Sequence, residues 1–385
     1  MKIGITTFGC DAGKSGIGQY LIHLLREFAR LEAGATMEIL LHPGDEARLL
    51  PDTHPFSRYY VSEKFRSPLK NVAWHQFLFP GQCRKNRYDV MFLPAANRRV
   101  PFSLPCPAVG TVHDFSSIHI KGKYDPLREF YITRVLPMLV RTLTHVIADS
   151  ESTKKDIIEF AKVPEERVTV IPLAVDRSIY MPRGKEEAQA RIQQKYGVGA
   201  PYILYISRIE HPGKNHVQLI HAFSQLKKAT GAPHQLVLAG SDWTRAEEVH
   251  QAAAESAYAG DIVFTGYAPA GDLPYLYCGA DLFVFPSLFE GFGMPILEAM
   301  ACGVPVACSN ISSLPEVAGD AAVLFDPSDS AAMAEALAPL IAERGLCDHY
   351  ARKGLERSAR YDWRITARQT LDLLERTALQ NAGRP

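Results

Sequence analysis

Short apolar runs and longer amphipathic stretches alternate along almost the whole chain. In the first half the apolar runs are Lys2–Thr7, Met37–His42, Asp89–Leu93, Ala108–Val112, Val146–Ala148 and Val168–Ile171. A second series consists of Tyr202–Ile206, Gln235–Ala239, Ile262–Thr265, Leu282–Phe285, Val304–Ala307 and Ala322–Phe325. Runs this short with little polar alternation predict strands buried on both faces. A helix begins near Ser15, because Ile17, Leu21, Leu24, Leu25, Phe28 and Leu31 recur at helical spacing. Further helical segments are Asn215–Thr230, Ala246–Ala259, Asp272–Tyr277 and Pro295–Met300. Strand and helix in alternation predict an α/β chain with parallel sheets. The polar stretch Asp176–Glu187, with Pro182 and Gly184, is the linker candidate and divides the chain after residue 182. Ligands of such sheets bind at the carboxyl ends of the strands. Two domains facing across a cleft would put two ligands on opposite walls.

A length of 385 residues suits two such domains, and 47% hydrophobic with 22% charged residues is ordinary for a globular chain. Net charge is zero, which gives no pointer to nucleic acid, but it is unevenly spread. Residues 1–182 hold 24 Lys/Arg against 19 Asp/Glu, and nine basic residues from Arg58 to Arg99 face only Glu63 and Asp89. Lys64, Arg66, Lys70, Arg84, Lys85 and Arg87 belong to this run. It suggests an anionic acceptor or an anionic membrane surface, with a solvated basic face as the alternative. The seven cysteines are scattered and contain no C-x-x-C, so free thiols in a reducing cytosol are expected and neither a disulfide framework nor a zinc site. No leader is visible before the first strand, and no apolar run is long enough to span a bilayer. The expected location is the cytoplasm, with the inner face of the membrane as a docking place.

Four motifs carry candidate chemistry. Gly9-Cys-Asp-Ala-Gly13-Lys14-Ser15-Gly16-Ile17-Gly18 lies between the first strand and the first helix. A P-loop needs four residues between its glycines; here three separate Gly9 from Gly13. Gly16 and Gly18 still permit close backbone approach at a helix N-terminus that favours anions, and a tight strand-to-helix turn is the plain alternative. His113, at the end of a predicted strand, is placed to orient a reacting group or to hydrogen-bond a sugar hydroxyl; a structural role stands beside that. Arg208 and Lys214 share one loop before a helix, and two fixed cations can meet the charge that grows on a diphosphate leaving group. Many sugar transferases use a metal on an Asp-x-Asp pair for this; the chain has no Asp-x-Asp. No cofactor and no metal are expected. The fourth motif runs from Pro286 to Val306: a strand end, the turn Glu290-Gly291-Phe292-Gly293, and a helix with Pro295 near its first position. Glu290 in the turn can meet sugar hydroxyls. Glu298 stays close to the helix start and can accept from ribose hydroxyls.

Taken together these residues resemble the retaining glycosyltransferases of family 4, which have the GT-B fold, two facing Rossmann-like domains with a cleft between them. The resemblance extends from Lys2 to about Leu374, and its most specific part is the Glu-x7-Glu element, Glu290 and Glu298. It implies a diphosphate-binding pair in Arg208 and Lys214, a sugar contact at His113, and a phosphate-closing loop at Gly16 and Gly18. It also implies nucleotide-base contacts near Gly240, Gly266 and Tyr267, and close backbone approach at Gly291, Phe292 and Gly293. Ser150–Lys154 matches a stretch that faces the cleft. The implied domains are 1–182 on the acceptor side, 183–358 for the nucleotide sugar, and 359–385 crossing back to the N-terminal domain. The form Gly16-Ile-Gly-Gln-Tyr20 resembles transferases of bacterial surface polysaccharides, several of them mannosyl, which points to GDP-mannose with UDP-sugars as the alternative. The implied partners are a nucleotide sugar and a glycan or lipid-linked acceptor. The implied chemistry is retention by front-face attack. An epimerase or phosphorylase of the same fold, a P-loop NTPase and an inactive sugar-binding subunit are the competing readings.

Overall fold

The computed structural model describes residues 1–13, 15–31, 34–120 and 129–382. Lys14 of the first motif lies outside the described residues. The chain forms two compact units. Unit 1 comprises Met1–Ile118, Tyr124–Leu173 and Trp363–Pro385; unit 2 comprises His119–Lys123 and Ala174–Asp362. The divisions thus fall at Leu173/Ala174 and Asp362/Trp363, rather than at 182/183 and 358/359. The Pro/Gly stretch that drew the first boundary is already part of unit 2, and a helix, Lys185–Tyr196, starts inside it.

Unit 1 is a seven-stranded parallel sheet. Its strands are β1 (Lys2–Thr6), β2 (Thr36–Leu41), β3 (Ser57–Tyr60), β4 (Val90–Leu93), β5 (Ala108–Val112), β6 (His145–Ala148) and β7 (Val168–Val170). Their spatial order is β3-β2-β1-β4-β5-β6-β7. β4 and β5 are buried along their whole length, as continuous apolar runs require. β3 was not among the expected strands: Ser-Arg-Tyr-Tyr is an exposed edge strand with no apolar run to reveal it. The first helix, Gly16–Arg30, starts where its stripe predicts, and the Ser15 side chain caps it by accepting from the Gly18 N–H at 3.3 Å. The Trp363–Ala382 helix belongs to this unit; Trp363 stacks on His23 of the first helix with ring centroids 4.8 Å apart.

Unit 2 is a six-stranded parallel sheet of β8 (Tyr202–Ile206), β9 (Gln235–Ala239), β10 (Ile262–Gly266), β11 (Leu282–Phe285), β12 (Val306–Ser309) and β13 (Val323–Phe325). The order is β10-β9-β8-β11-β12-β13. The chain therefore builds outward from β8 in one direction, returns, and builds outward from β11 in the other. In sheets of this kind ligands bind at the carboxyl ends of the strands where the order reverses, which here lies between β8 and β11. In unit 1 the corresponding reversal lies between β1 and β4.

Candidate active site

The two loops at the unit 2 reversal are stitched together. Gly213 O accepts from the Leu288 N–H at 3.0 Å. The buried Tyr205, on β8, donates its hydroxyl to Lys214 O at 2.8 Å and lies 3.3 Å from the Ser287 hydroxyl. Asn215, in the left-handed region at φ 62°, spends its side-chain amide on Pro286 O at 3.0 Å and Pro327 O at 2.7 Å. With the loops so fixed, Lys214 Nζ meets Glu290 Oε1 at 2.5 Å, with both side chains largely buried. The structure thus brings Lys214 and Glu290 into direct contact. Arg208 leaves the same loop, 3.5 Å from the buried Glu210 carboxylate and 5.0 Å above the ring of Trp243. Its side chain is 48% exposed, so the cation is open to a ligand.

Serines that the sequence did not single out hold the Glu290 turn. Ser313, fully buried, donates to Glu290 O at 2.8 Å or Phe292 O at 2.9 Å, and the Ser312 hydroxyl accepts from the Glu290 N–H at 3.2 Å. Gly293 has φ 107°, and a Cβ there would lie 2.8 Å from Leu314 Cδ2, so glycine is required by backbone and packing alike. The Phe292 ring is buried against Tyr361 at 5.8 Å, which makes it part of the core under the turn. Gly291 is buried beside it.

Glu298, on the Met294–Ala301 helix, is held by tyrosines. Tyr277 donates to Oε2 at 2.8 Å, and Tyr180 also hydrogen-bonds the carboxylate. Burial raises the Glu298 pKa against these two hydrogen bonds. Its carboxylate is thus oriented before any ligand arrives. Gly240 follows β9, and its N–H donates to Gly266 O at 3.0 Å, at the end of β10. A Cβ at Gly240 would sit 1.8 Å from Ser207 O. Gly240→Ala is therefore expected to force the ends of β8 and β9 apart and to destabilise unit 2 by about 1–3 kcal/mol, read from urea unfolding. An unchanged midpoint would mean that the strand ends can yield. Tyr267 is 72% exposed beside this turn.

In unit 1 the glycine loop is folded on itself. The Arg98 guanidinium donates to Gly9 O at 2.9 Å and to Asp11 Oδ2 at 2.5 Å, and Gln19 donates to Gly13 O at 2.8 Å. A Cβ at Gly18 would lie 2.5 Å from both Cys10 O and Gly13 Cα, so Gly18 is fixed by close backbone approach. Gly16 opens the helix.

His113 is buried, with both ring nitrogens engaged. Nε2 lies 2.8 Å from Pro94 O, which can only accept, so Nε2 carries a proton; Nδ1 lies 2.6 Å from Asp149 Oδ2. Register explains the pairing: Val112 and Ala148 are partners across β5 and β6, so the next residue on each strand, His113 and Asp149, stand level. Asp149 is the functional candidate the sequence reading missed. A polar residue directly after an apolar strand, at the same height as His113, was the available signal. Burial pulls the His113 pKa down, but the charge and hydrogen bond of Asp149 and the Pro94 carbonyl outweigh it, and the net shift is upward from 6.5. Burial raises Asp149 as well, against the pull of His113.

The folded pair therefore holds its proton more tightly than the unfolded chain does. This contributes stability that is complete below the unfolded histidine value of 6.5 and is lost as pH rises through the raised folded value. The unfolding temperature of the wild type should fall over that window more steeply than that of His113→Asn. Parallel profiles would remove the linkage.

Among the described residues no group of three or more His, Cys, Asp or Glu side chains is placed to hold a metal ion, and no helix is long and apolar enough to cross a membrane.

Residues 14–179 match the Glycosyltransferase Family 4 domain, and residues 187–357 match the Glycosyl transferases group 1 domain. O-antigen chain mannosyltransferase B of Escherichia coli is 34% identical over 265 residues, 69% of this chain and 69% of that protein. Serotype-specific mannosyltransferase WbdA of Escherichia coli is 32% identical over 300 residues, 76% of this chain but 36% of that protein, so the match spans about a third of its length. Among solved structures, HepE of Anabaena in complex with UDP and glucose matches with a TM-score of 0.75 at 21% identity, covering 97% of this chain and 99% of that one. Sucrose-phosphate synthase of Thermosynechococcus elongatus matches with a TM-score of 0.75 at 19% identity over 100% of both chains.

Proposed function

This chain belongs to the family 4 glycosyltransferases, with the GT-B fold, and from that premise we propose that it transfers mannose from GDP-mannose to a hydroxyl of a glycan or lipid-linked glycan, with retention and without a metal. The observation that carries the reading is the direct contact of Lys214 with Glu290 across the stitched loops at the unit 2 reversal, with the half-exposed Arg208 on the same loop as Lys214. The mannosyltransferase names of its relatives support the choice of donor.

Each residue then has a chemical task. Arg208 and Lys214 take the diphosphate charge as the bond from the anomeric carbon to the β-phosphate oxygen breaks. Glu290 keeps Lys214 in place and accepts from a hydroxyl of the departing sugar. Glu298, held by Tyr277 and Tyr180, accepts from the ribose. Gly240, Gly266 and Tyr267 border the base, and the backbone at Gly291–Gly293 approaches the donor. In unit 1 His113, its ring nitrogens taken by Asp149 and Pro94 O, is a positioning group at the end of β5, and Gly16 and Gly18 shape the glycine loop at the start of the first helix. The acceptor oxygen attacks the anomeric carbon on the face the phosphate leaves, and its proton passes to the departing phosphate oxygen. No step requires a cofactor.

A thermal-shift screen of GDP-, UDP-, dTDP- and ADP-sugars tests the donor. At 100 times its dissociation constant the true donor should add about 2.7 kcal/mol of stability, and the expected one is GDP-mannose. A larger shift with a UDP-sugar would replace the base assignment; no shift with any donor would remove the reading.

A further inference from the structure

We propose that the exposed face of the Pro68–Phe77 helix docks unit 1 onto an anionic lipid bilayer. This helix has two unlike faces. Asn71, Trp74 and His75 are buried, with Trp74 packed on Phe8 and Phe79 at ring distances of 5.2 Å. On the other side Leu69, Ala73 and Phe77 recur at four-residue intervals and are all exposed, Leu69 by 85% and Phe77 by 81%. Leu78, which follows, is half exposed. Phe102, also exposed, is tied beside the stripe: its N–H donates to Gln76 Oε1 at 2.7 Å, and Gln76 Nε2 donates to Val100 O at 3.0 Å. Single exposed apolar residues are ordinary on a protein surface, whereas Phe77, Leu78 and Phe102 at the end of the helix, with Leu69 on the same stripe two turns earlier, form a patch that marks an interaction site.

Charge identifies the occupant. Lys70 precedes Phe77 by seven residues and so shares its face. The next helix, Phe79–Asn86, exposes Arg84 and Lys85, and Arg87 follows it. Among the described residues Lys70, Arg84, Lys85 and Arg87 form no ion pair. Arg66, which the sequence placed in the same run, is instead held by Glu63 at 2.5 Å and Asp45 at 3.0 Å. Apolar anchors flanked by unpaired cations fit a surface that is anionic outside and apolar within, which is an acidic bilayer. An acidic protein would satisfy the cations and leave Leu69 and Phe77 without a reason to protrude. The inference deepens the proposed function by naming the partner of unit 1. Its test omits donor and acceptor, so either reading can fail alone.

The full chain should co-sediment with phosphatidylglycerol vesicles in about 0.1 M salt and far less with phosphatidylcholine vesicles. The pair Leu69→Ser/Phe77→Ser should lower partitioning onto phosphatidylglycerol by about tenfold or more. The pair Lys70→Gln/Lys85→Gln should lower it and flatten its salt dependence. All four side chains are exposed, so unfolding midpoints and nucleotide affinity should stay at wild-type values. Equal retention on both vesicle types, unaltered binding by Leu69→Ser/Phe77→Ser, or no retention on either vesicle, as a protein partner at this face would give, overturns the proposal.

Discussion

Arg208→Ala or Lys214→Ala should lower turnover by about two to three orders of magnitude while nucleoside affinity stays within a few-fold of wild type. Negative charge on the diphosphate grows only as the glycosidic bond breaks, so a fixed cation stabilises the transition state more than the bound donor. Loss of one preorganised group of this kind typically costs about 2.7–4 kcal/mol. Both cations also face carboxylates of the protein, Lys214 the largely buried Glu290 at 2.5 Å and Arg208 the buried Glu210 at 3.5 Å, so each removal takes a charge partner from a carboxylate. Urea unfolding of both variants therefore accompanies the rates, so that lost stability is not read as lost catalysis. Single-turnover rates and nucleoside binding, measured on both variants, decide the matter. Near wild-type turnover in Arg208→Ala would refute the diphosphate assignment.

Glu298→Ala should weaken binding of the free nucleoside diphosphate by at least about tenfold, because each charge-assisted hydrogen bond to a ribose hydroxyl is worth roughly 1.5–3 kcal/mol. A 2′-deoxyribose nucleotide should lose much less. Tyr277 and Tyr180 complicate the alanine variant, since both would lose their acceptor. Glu298→Gln keeps an acceptor for them and removes the charge; it should fold normally and still bind the nucleotide more weakly. If Glu298→Gln binds as the wild type does, the carboxylate only braces its helix. Glu290→Ala should show the converse pattern, with depressed turnover and retained diphosphate binding. Calorimetry on the two glutamate variants separates these roles, and a reversed pattern would exchange them.

The interior strands were legible because burial on both faces writes an apolar run into the sequence: β5, β8, β9 and β11 begin and end where the runs do. β12 starts at Val306 rather than Val304, because Gly303 at φ 74° and the following Pro305 still belong to the turn. β3 was invisible since an edge strand need not be apolar. In the site, Arg208, Lys214, Glu290 and Glu298 were legible as charged residues beside glycine turns after strands. Their supports were not. Asp149, Tyr277, Tyr180 and Ser313 reach their partners across neighbouring elements, and a run of residues does not show which elements adjoin. The same gap misread Arg66: Asp45, 21 residues earlier, neutralises it in space.

The central claim is tested most directly by the product. The protein should be incubated in EDTA with the α-linked donor GDP-mannose and a hydroxyl acceptor taken from a bacterial surface glycan, and the reaction followed by proton NMR. The account predicts release of GDP matched one for one by a new α-mannosidic signal on the acceptor. A β-linked product, or consumption of the donor only after a divalent metal is restored, would contradict it.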